Sequence, residues 1–146
     1  MSERAHVLIV AHKTATTDAL LEVVFERARR GPVTFHLLVP RRAHGLHRVV
    51  DPQDSSDAEA AEVIIAALPR LTEAAGSEVT GSMGDAEPLA AIEDAVNLEE
   101  FDEIIISTLP LGVSRWLRLD LVSKTRGLGL PVTHVQASSR DREHVS

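Results

Sequence analysis

Residues 101–108 read FDEIIIST, and this stretch decides the fold. Three consecutive isoleucines, Ile104, Ile105 and Ile106, continue an apolar run from Phe101, and a β-branched run of that kind fits a strand buried on both faces. It leads into Ser107-Thr108-Leu109-Pro110, then a linker with Arg115 and Arg118, and a short helix opening at Asp120. Leu130-Pro131-Val132-Thr133-His134-Val135 follows as a last strand. A buried strand, a polar turn, a helix and another buried strand form one unit of an alternating α/β chain, with its turn at a strand end.

The same alternation extends toward the N-terminus. Residues 6–11 (HVLIVA) and 33–39 (VTFHLLV) read as two more buried strands. Between them Thr16 or Thr17 can cap a helix whose apolar stripe is Leu20, Leu21, Val24, Phe25 and Ala28, closed by Gly31. Residues 40–55 form a long connection, of a length that points to function or mobility. Ser56-Asp57-Ala58-Glu59 matches a capping box and opens an Ala-rich helix with the stripe Val63, Ile64, Ala67, Leu68 and Leu71. Pro69 is expected to kink that helix or end its first part, and Gly76 to close it. Residues 78–83 are a weaker strand, Gly84-Asp85 a turn, and Pro88 the first-turn proline of a helix with the stripe Leu89, Ile92 and Val96. Five strands alternating with helices predict a doubly wound, five-stranded parallel sheet with helices on both faces.

Composition bounds the rest. A chain of 146 residues suits one domain, expected over 1–137, with a polar tail at 138–146. Aromatic residues make up only 3%, so Val, Ile, Leu and Ala must build the core. A net charge of −7 opposes nucleic acid and acidic membranes as partners. The absence of cysteine excludes disulfides, thiol catalysis and thiolate metal sites. The opening MSERAHVLIVAHK carries one arginine and an apolar run too short for a signal sequence or a membrane span, so a cytoplasmic location is expected.

In doubly wound sheets ligands bind beyond the carboxyl ends of the strands, where the strand order reverses. That rule points to His12-Lys13-Thr14 after the first strand and Ser107-Thr108 after the fourth. Arg41, Arg42, His44, His47 and Arg48 form a basic island over the same end, with Arg115 and Arg118 beside it. Two readings stand for these arginines. They can build an anion pocket in which guanidinium forks meet phosphate or carboxylate, or they can pair with Asp51, Asp54, Asp57, Glu59 and Glu62 just downstream. His44-Gly45-Leu46-His47 resembles a metal pair but has no third ligand placed by sequence, and no metal is expected. Trp116 can stack a planar ligand, pack its connection onto the sheet or lie at a dimer contact.

Gly84-Asp85-x-x-Pro88-Leu89-x-x-Ile92, FDEIIIST, the closing LPVTHV, the opening strand and the long helix after the second strand have a shared precedent. In these features the chain resembles the universal stress protein family over nearly its whole length. The resemblance implies a Rossmann-like fold of the adenine nucleotide alpha hydrolase type and a homodimer through the last strand, residues 132–136. Some members bind ATP through a Gly-x-x-Gly, nine residues, Gly-Ser/Thr pattern after the fourth strand. Here the three glycine positions correspond to Ser107, Pro110 and Asp120, and the hydroxyl position to Leu121. The family's aspartate at the end of the first strand, a contact to adenine or ribose, corresponds to His12.

These replacements change the chemistry. Glycines let backbone N–H groups approach phosphate oxygens, and Pro110 removes one such donor. Asp120 is expected to cap the following helix with its carboxylate and to repel a phosphate there. Leu121 cannot replace a hydroxyl. The standard ATP motif is therefore not intact, although an adenine nucleotide held by other contacts stays open as the cofactor.

No Walker loop, Gly-x-Ser-x-Gly elbow or acidic pair after the first strand is present, and no catalytic residue is assigned. An enzyme of the wider superfamily would need a phosphate-loop signature after the first strand, which Ala11-His12-Lys13-Thr14 does not supply. The reading that results is a non-catalytic regulatory protein binding a nucleotide or other small anion. The expected ligand residues are His12, Lys13, Thr14, Arg42, Ser107, Thr108, Arg115 and Arg118. The alternative is a homodimeric protein-interaction module whose pocket is closed.

Overall fold

A computed structural model of the chain describes residues 4–42, 52–110 and 112–137, and for 52–56 the backbone alone. Five parallel strands, β1 (Ala5–Val10), β2 (Val33–Pro40), β3 (Thr80–Gly84), β4 (Glu103–Thr108) and β5 (Val132–Gln136), lie in the order β3-β2-β1-β4-β5. The helices are α1 (Asp18–Arg29), α2 (Pro52–Ala75), α3 (Pro88–Leu98), α4 (Arg115–Arg118) and α5 (Leu121–Arg126). This is the doubly wound parallel α/β sheet expected.

Strand alternation divides the core between two faces. Val7 and Ile9 pair in register with Phe35 and Leu37, and these four pack with Leu20 and Val24 of α1 and Leu71 of α2. Leu8 and Val10 point the other way, beside Ile104 and Ile106, and pack with Ile92 of α3 and Leu121 of α5. Val7 through Val10 are wholly buried, which is why this strand reads as a continuous apolar run. Edge strand β3 is largely exposed and carries Gly, Ser and Thr, so its signal is weak and its span begins later than expected, at Thr80.

Several local expectations are met and others corrected. Thr17 caps α1, its hydroxyl accepting from the Leu20 amide at 3.4 Å. Arg27 in the last turn makes a forked ion pair with Glu103 at the start of β4, with a closest approach of 2.6 Å. Phe25, placed on the buried stripe by sequence, is 50% exposed. Helix α2 begins at Pro52 rather than Ser56, so the capping-box tetrad lies inside it. A proline is tolerated in a first turn, whose amides have no intrahelical acceptor. The helix also runs through Pro69 to Ala75 instead of ending there. Pro69 and Ile65 are both exposed, so water can satisfy the Ile65 carbonyl that loses its helical donor.

Gly84 ends β3 because nothing larger fits. A Cβ there would lie 2.8 Å from both Ala91 Cβ and Leu38 Cδ1. Asp85 then accepts from the Glu87 amide at 2.8 Å, and Pro88 starts α3 as expected. His44, His47 and Arg48, most of the 40–55 connection and the tail from 138 onward lie outside the described residues. Among the described residues no helix is long and apolar enough to cross a membrane.

Candidate functional site

The strand order reverses between β1 and β4. Strands β1 and β2 lead into α1 and α2 on one face, whereas β3 and β4 lead into α3 and α5 on the other. Chains leaving β1 and β4 therefore diverge, and a crevice opens between their carboxyl ends. A cavity of about 230 Å³ lies there. Ligand sites commonly span about 300–1,000 Å³, so this one suits a small ligand.

Each wall comes from a different element. His12, Lys13 and Thr14 follow β1, Pro40, Arg41 and Arg42 end and follow β2, and Glu59 reaches in from α2. Ser107, Thr108 and Leu109 end and follow β4, and Ser114, Arg115 and Trp116 belong to the start of α4. All the expected ligand residues line the cavity except Arg118, which is exposed on α4 and is not part of the wall. Leu109, Val113, Ala86 and Trp116 add an apolar surface. Trp116 also packs on the core cluster under α3 and α5, so it joins its connection to the sheet and faces the cavity as well.

The basic residues divide into paired and outlying groups. Arg41 forms an ion pair with Asp57, and its Nη1 donates to the Gly84 carbonyl at 2.9 Å. Arg42 Nη1 donates to Glu59 Oε2 at 3.3 Å. Both arginines thus pair with downstream acids, as the second of the two sequence readings has it, and both also line the cavity. Lys13 and Arg115 are exposed on the cavity wall and bring positive charge to it.

The hydroxyls are buried and engaged. Ser107 Oγ donates to Thr14 Oγ1 at 2.7 Å, joining the ends of β4 and β1. The Thr14 proton stays available to another acceptor, since its oxygen receives that bond. Thr108 Oγ1 lies 2.8 Å from His134 Nε2 on β5. Burial, and then Arg126, lowers the His134 pKa, so the neutral ring can accept the Thr108 proton. His12 is the least satisfied group on the wall. Its Nε2 is buried with no hydrogen-bond partner among the described residues, and Glu59 Oε1 stands 3.8 Å away. Burial lowers the His12 pKa, Glu59 raises it, and Lys13 and Arg42 lower it further.

Of the four positions that the sequence resemblance sets against the family's nucleotide pattern, Ser107 lines the cavity. Pro110, Asp120 and Leu121 do not line the cavity. Leu121 is buried in the core beneath α3. Asp120 does not cap α5 with its carboxylate as expected, and instead takes a left-handed backbone with φ 58° and ψ 37°. It is the one non-glycine residue with positive φ among the described residues. The position that the sequence resemblance sets against a family glycine thus has the backbone conformation that glycine adopts most readily.

Two features escaped the sequence. The sequence sets Glu59 in a capping box and among the acids facing the arginines, and nothing in its spacing shows that α2 carries it to the end of β1. Helix α4 shows in the sequence only as a connection, being four residues long and too short for periodicity. Its one usable signal is Ser114, whose hydroxyl caps the Leu117 amide at 3.2 Å. Among the described residues no group of three or more His, Cys, Asp or Glu could hold a metal ion.

No protein-family model and no curated protein matches the sequence. Solved structures do match the fold. The universal stress protein from Archaeoglobus fulgidus in complex with dAMP is 20% identical with a TM-score of 0.61, over 92% of this chain and 99% of that one. The universal stress protein UspA from Lactobacillus plantarum is 15% identical with a TM-score of 0.64, over 94% and 100%. A universal stress protein in complex with cAMP is 14% identical with a TM-score of 0.60, over 94% and 100%. The fold of this chain is that of the universal stress proteins.

Proposed function

We propose that this chain is a non-catalytic, universal-stress-protein-like regulatory protein that binds a small anion of the mononucleotide class at the β1–β4 crevice. The observation that carries this reading is the cavity itself, with Lys13 and Arg115 on its wall and an apolar side that includes Trp116. A cation and an aromatic face suit a ligand with an anionic end and a planar end. Fold relatives solved with dAMP and with cAMP lend support from outside the chain. The absence of glycines at Ser107, Pro110 and Asp120 disfavours a long polyphosphate, which needs many backbone donors. Binding of this kind regulates by occupancy and needs no turnover.

The assembly proposed is a homodimer through β5. That strand ends the sheet, and it carries no charged residue other than a titratable histidine. Natural edges of this kind are normally covered, and a second copy pairing along Val132–Gln136 covers it.

Native mass spectrometry of gently purified protein, with a thermal-shift panel of adenine nucleotides, tests the ligand reading. A retained or stabilising mononucleotide supports it. A second reading, a protein-interaction module with an unused cavity, is favoured by the internal pairing of Ser107 with Thr14 and of Arg42 with Glu59. An empty protein that no nucleotide stabilises would select that second reading.

A further inference from the structure

Buried ring nitrogens are almost always hydrogen-bonded, and His12 Nε2 departs from that rule among the described residues. The side chain is only 15% exposed. Its nearest acceptor, Glu59 Oε1, is 3.8 Å away, beyond hydrogen-bond range but within strong electrostatic reach. The other Glu59 oxygen is held by Arg42 at 3.3 Å. One carboxylate thus stands between an imidazole and a guanidinium, and all three groups line the cavity.

The segments around the ring contribute charge, except the end of β4, which brings the hydroxyls of Ser107 and Thr108. Lys13 follows His12 in the chain, Arg41 and Arg42 follow β2, Glu59 and the Arg41 partner Asp57 come from α2, and Arg115 comes from α4. With the ring neutral, Nε2 is unsatisfied in either tautomer, as a donor without an acceptor or an acceptor without a donor. After an approach of about 1 Å an Nε2–H can donate to Glu59, and with the ring protonated both partners of that bond are ionised, which makes it stronger than the bond a neutral ring could form. Burial and the cations Lys13 and Arg42 oppose that proton in the ligand-free site. An anion in the cavity offsets those cations, Lys13 and Arg42, which removes much of the opposition.

We propose that the cavity takes up its anion together with a proton from solvent, held on His12 Nε2 and directed at Glu59. The inference rests on the small-anion reading of the cavity and adds its regulation. By linkage, a ligand that draws in a proton binds more tightly in acid, and acidification then acts as a signal at the site.

Calorimetric titration with cyclic AMP tests this, because its phosphodiester does not itself titrate near neutrality. Binding is measured across pH in two buffers of different ionisation enthalpy, which counts the protons taken up. The expected result is affinity about tenfold tighter near pH 5.5 than near pH 7.5, with uptake approaching one proton. His12→Gln is expected to bind with neither pH dependence nor proton uptake. Wild-type binding without proton uptake overturns this inference and leaves the anion site standing. Failure of cyclic AMP, AMP and inorganic sulfate to bind at any pH overturns both. An independent arm follows the His12 ring protons by NMR in ligand-free protein. The ring should titrate below an ordinary histidine, and lower still in Glu59→Gln; no change in Glu59→Gln overturns the role given to that carboxylate.

Discussion

Ser107 at the end of β4 donates its hydroxyl to Thr14 just beyond β1 at 2.7 Å, and both side chains are buried. This bond spans the point where the sheet's connections diverge and adds a side-chain tie just beyond the last paired residues of β1 and β4, Val10 and Ile106. Ser107→Ala removes the donor and leaves Thr14 Oγ1 without it. The expected cost is about 1–2 kcal/mol in urea denaturation, the usual penalty for breaking one buried hydrogen bond. Stability unchanged from wild type would show that the bond does not hold the two strand ends.

Asp120 supplies a second test. Its left-handed backbone (φ 58°) is not compensated by a side-chain cap. A left-handed L-residue costs about 1–2 kcal/mol, and aspartate tolerates the region better than alanine does. Asp120→Ala should therefore destabilise by about 0.5–1 kcal/mol, while Asp120→Gly should match or exceed wild type. An alanine variant as stable as the glycine variant would contradict the backbone conformation described.

The close contact at Gly84 predicts a larger effect. An added Cβ would meet Ala91 Cβ and Leu38 Cδ1, each at 2.8 Å, between β2 and α3. Neither neighbour is the loose end of a long flexible side chain, so the helix or the strand must move. Gly84→Ala is expected to cost about 1–3 kcal/mol by overpacking. Arg41 leans on the same carbonyl, so ligand affinity should fall as well.

Three histidines give the fold a pH dependence of known sign. Burial lowers the pKa of His12, His36 and His134 from 6.5. Glu99 partly opposes the effect at His36, where His6 adds to it, and Arg126 adds to it at His134. Each ring binds its proton more weakly folded than unfolded, so its contribution is fully present above the unfolded value and is lost as pH falls through the folded one. Ligand-free protein should lose stability between about pH 7 and pH 5. His12→Gln should reduce that slope in thermal unfolding, whereas stability that rises on acidification would reverse the sign.

Much of this fold is legible in the chain. The buried strands announce themselves, because residues such as Leu8, Ile9 and Ile104–Ile106 are covered on both faces and need no polar alternation. The last strand reads with its observed bounds, Val132–Gln136. The misses share a physical cause. The capping box at Ser56 is a local signal that the longer helix from Pro52 overrides, and Phe25, though on the stripe of α1, stays half exposed. Most of the site residues follow from one topological rule applied to the ends of β1 and β4. Glu59 does not, since only the packing of α2 over the sheet brings it to His12, and the left-handed turn at Asp120 has no local sequence signature.

The proposed dimer depends on the free edge of β5. Thr133 is exposed on that strand, whereas Val135 is buried, so Thr133→Lys charges the edge without cutting into the core. Sedimentation should show the wild type as a dimer and Thr133→Lys shifted toward monomer. A variant as dimeric as wild type would place the interface elsewhere.

Calorimetric titration of AMP into the wild type and into Lys13→Ala/Arg115→Ala addresses the anion site most directly. Both side chains line the cavity on its exposed side, so their loss should leave the fold intact. The expected result is one AMP per chain in the wild type and affinity at least about tenfold weaker in the double variant, as loss of charge-assisted contacts requires. Equal affinity in the two proteins, or no binding to the wild type, would contradict a small-anion site at the β1–β4 crevice.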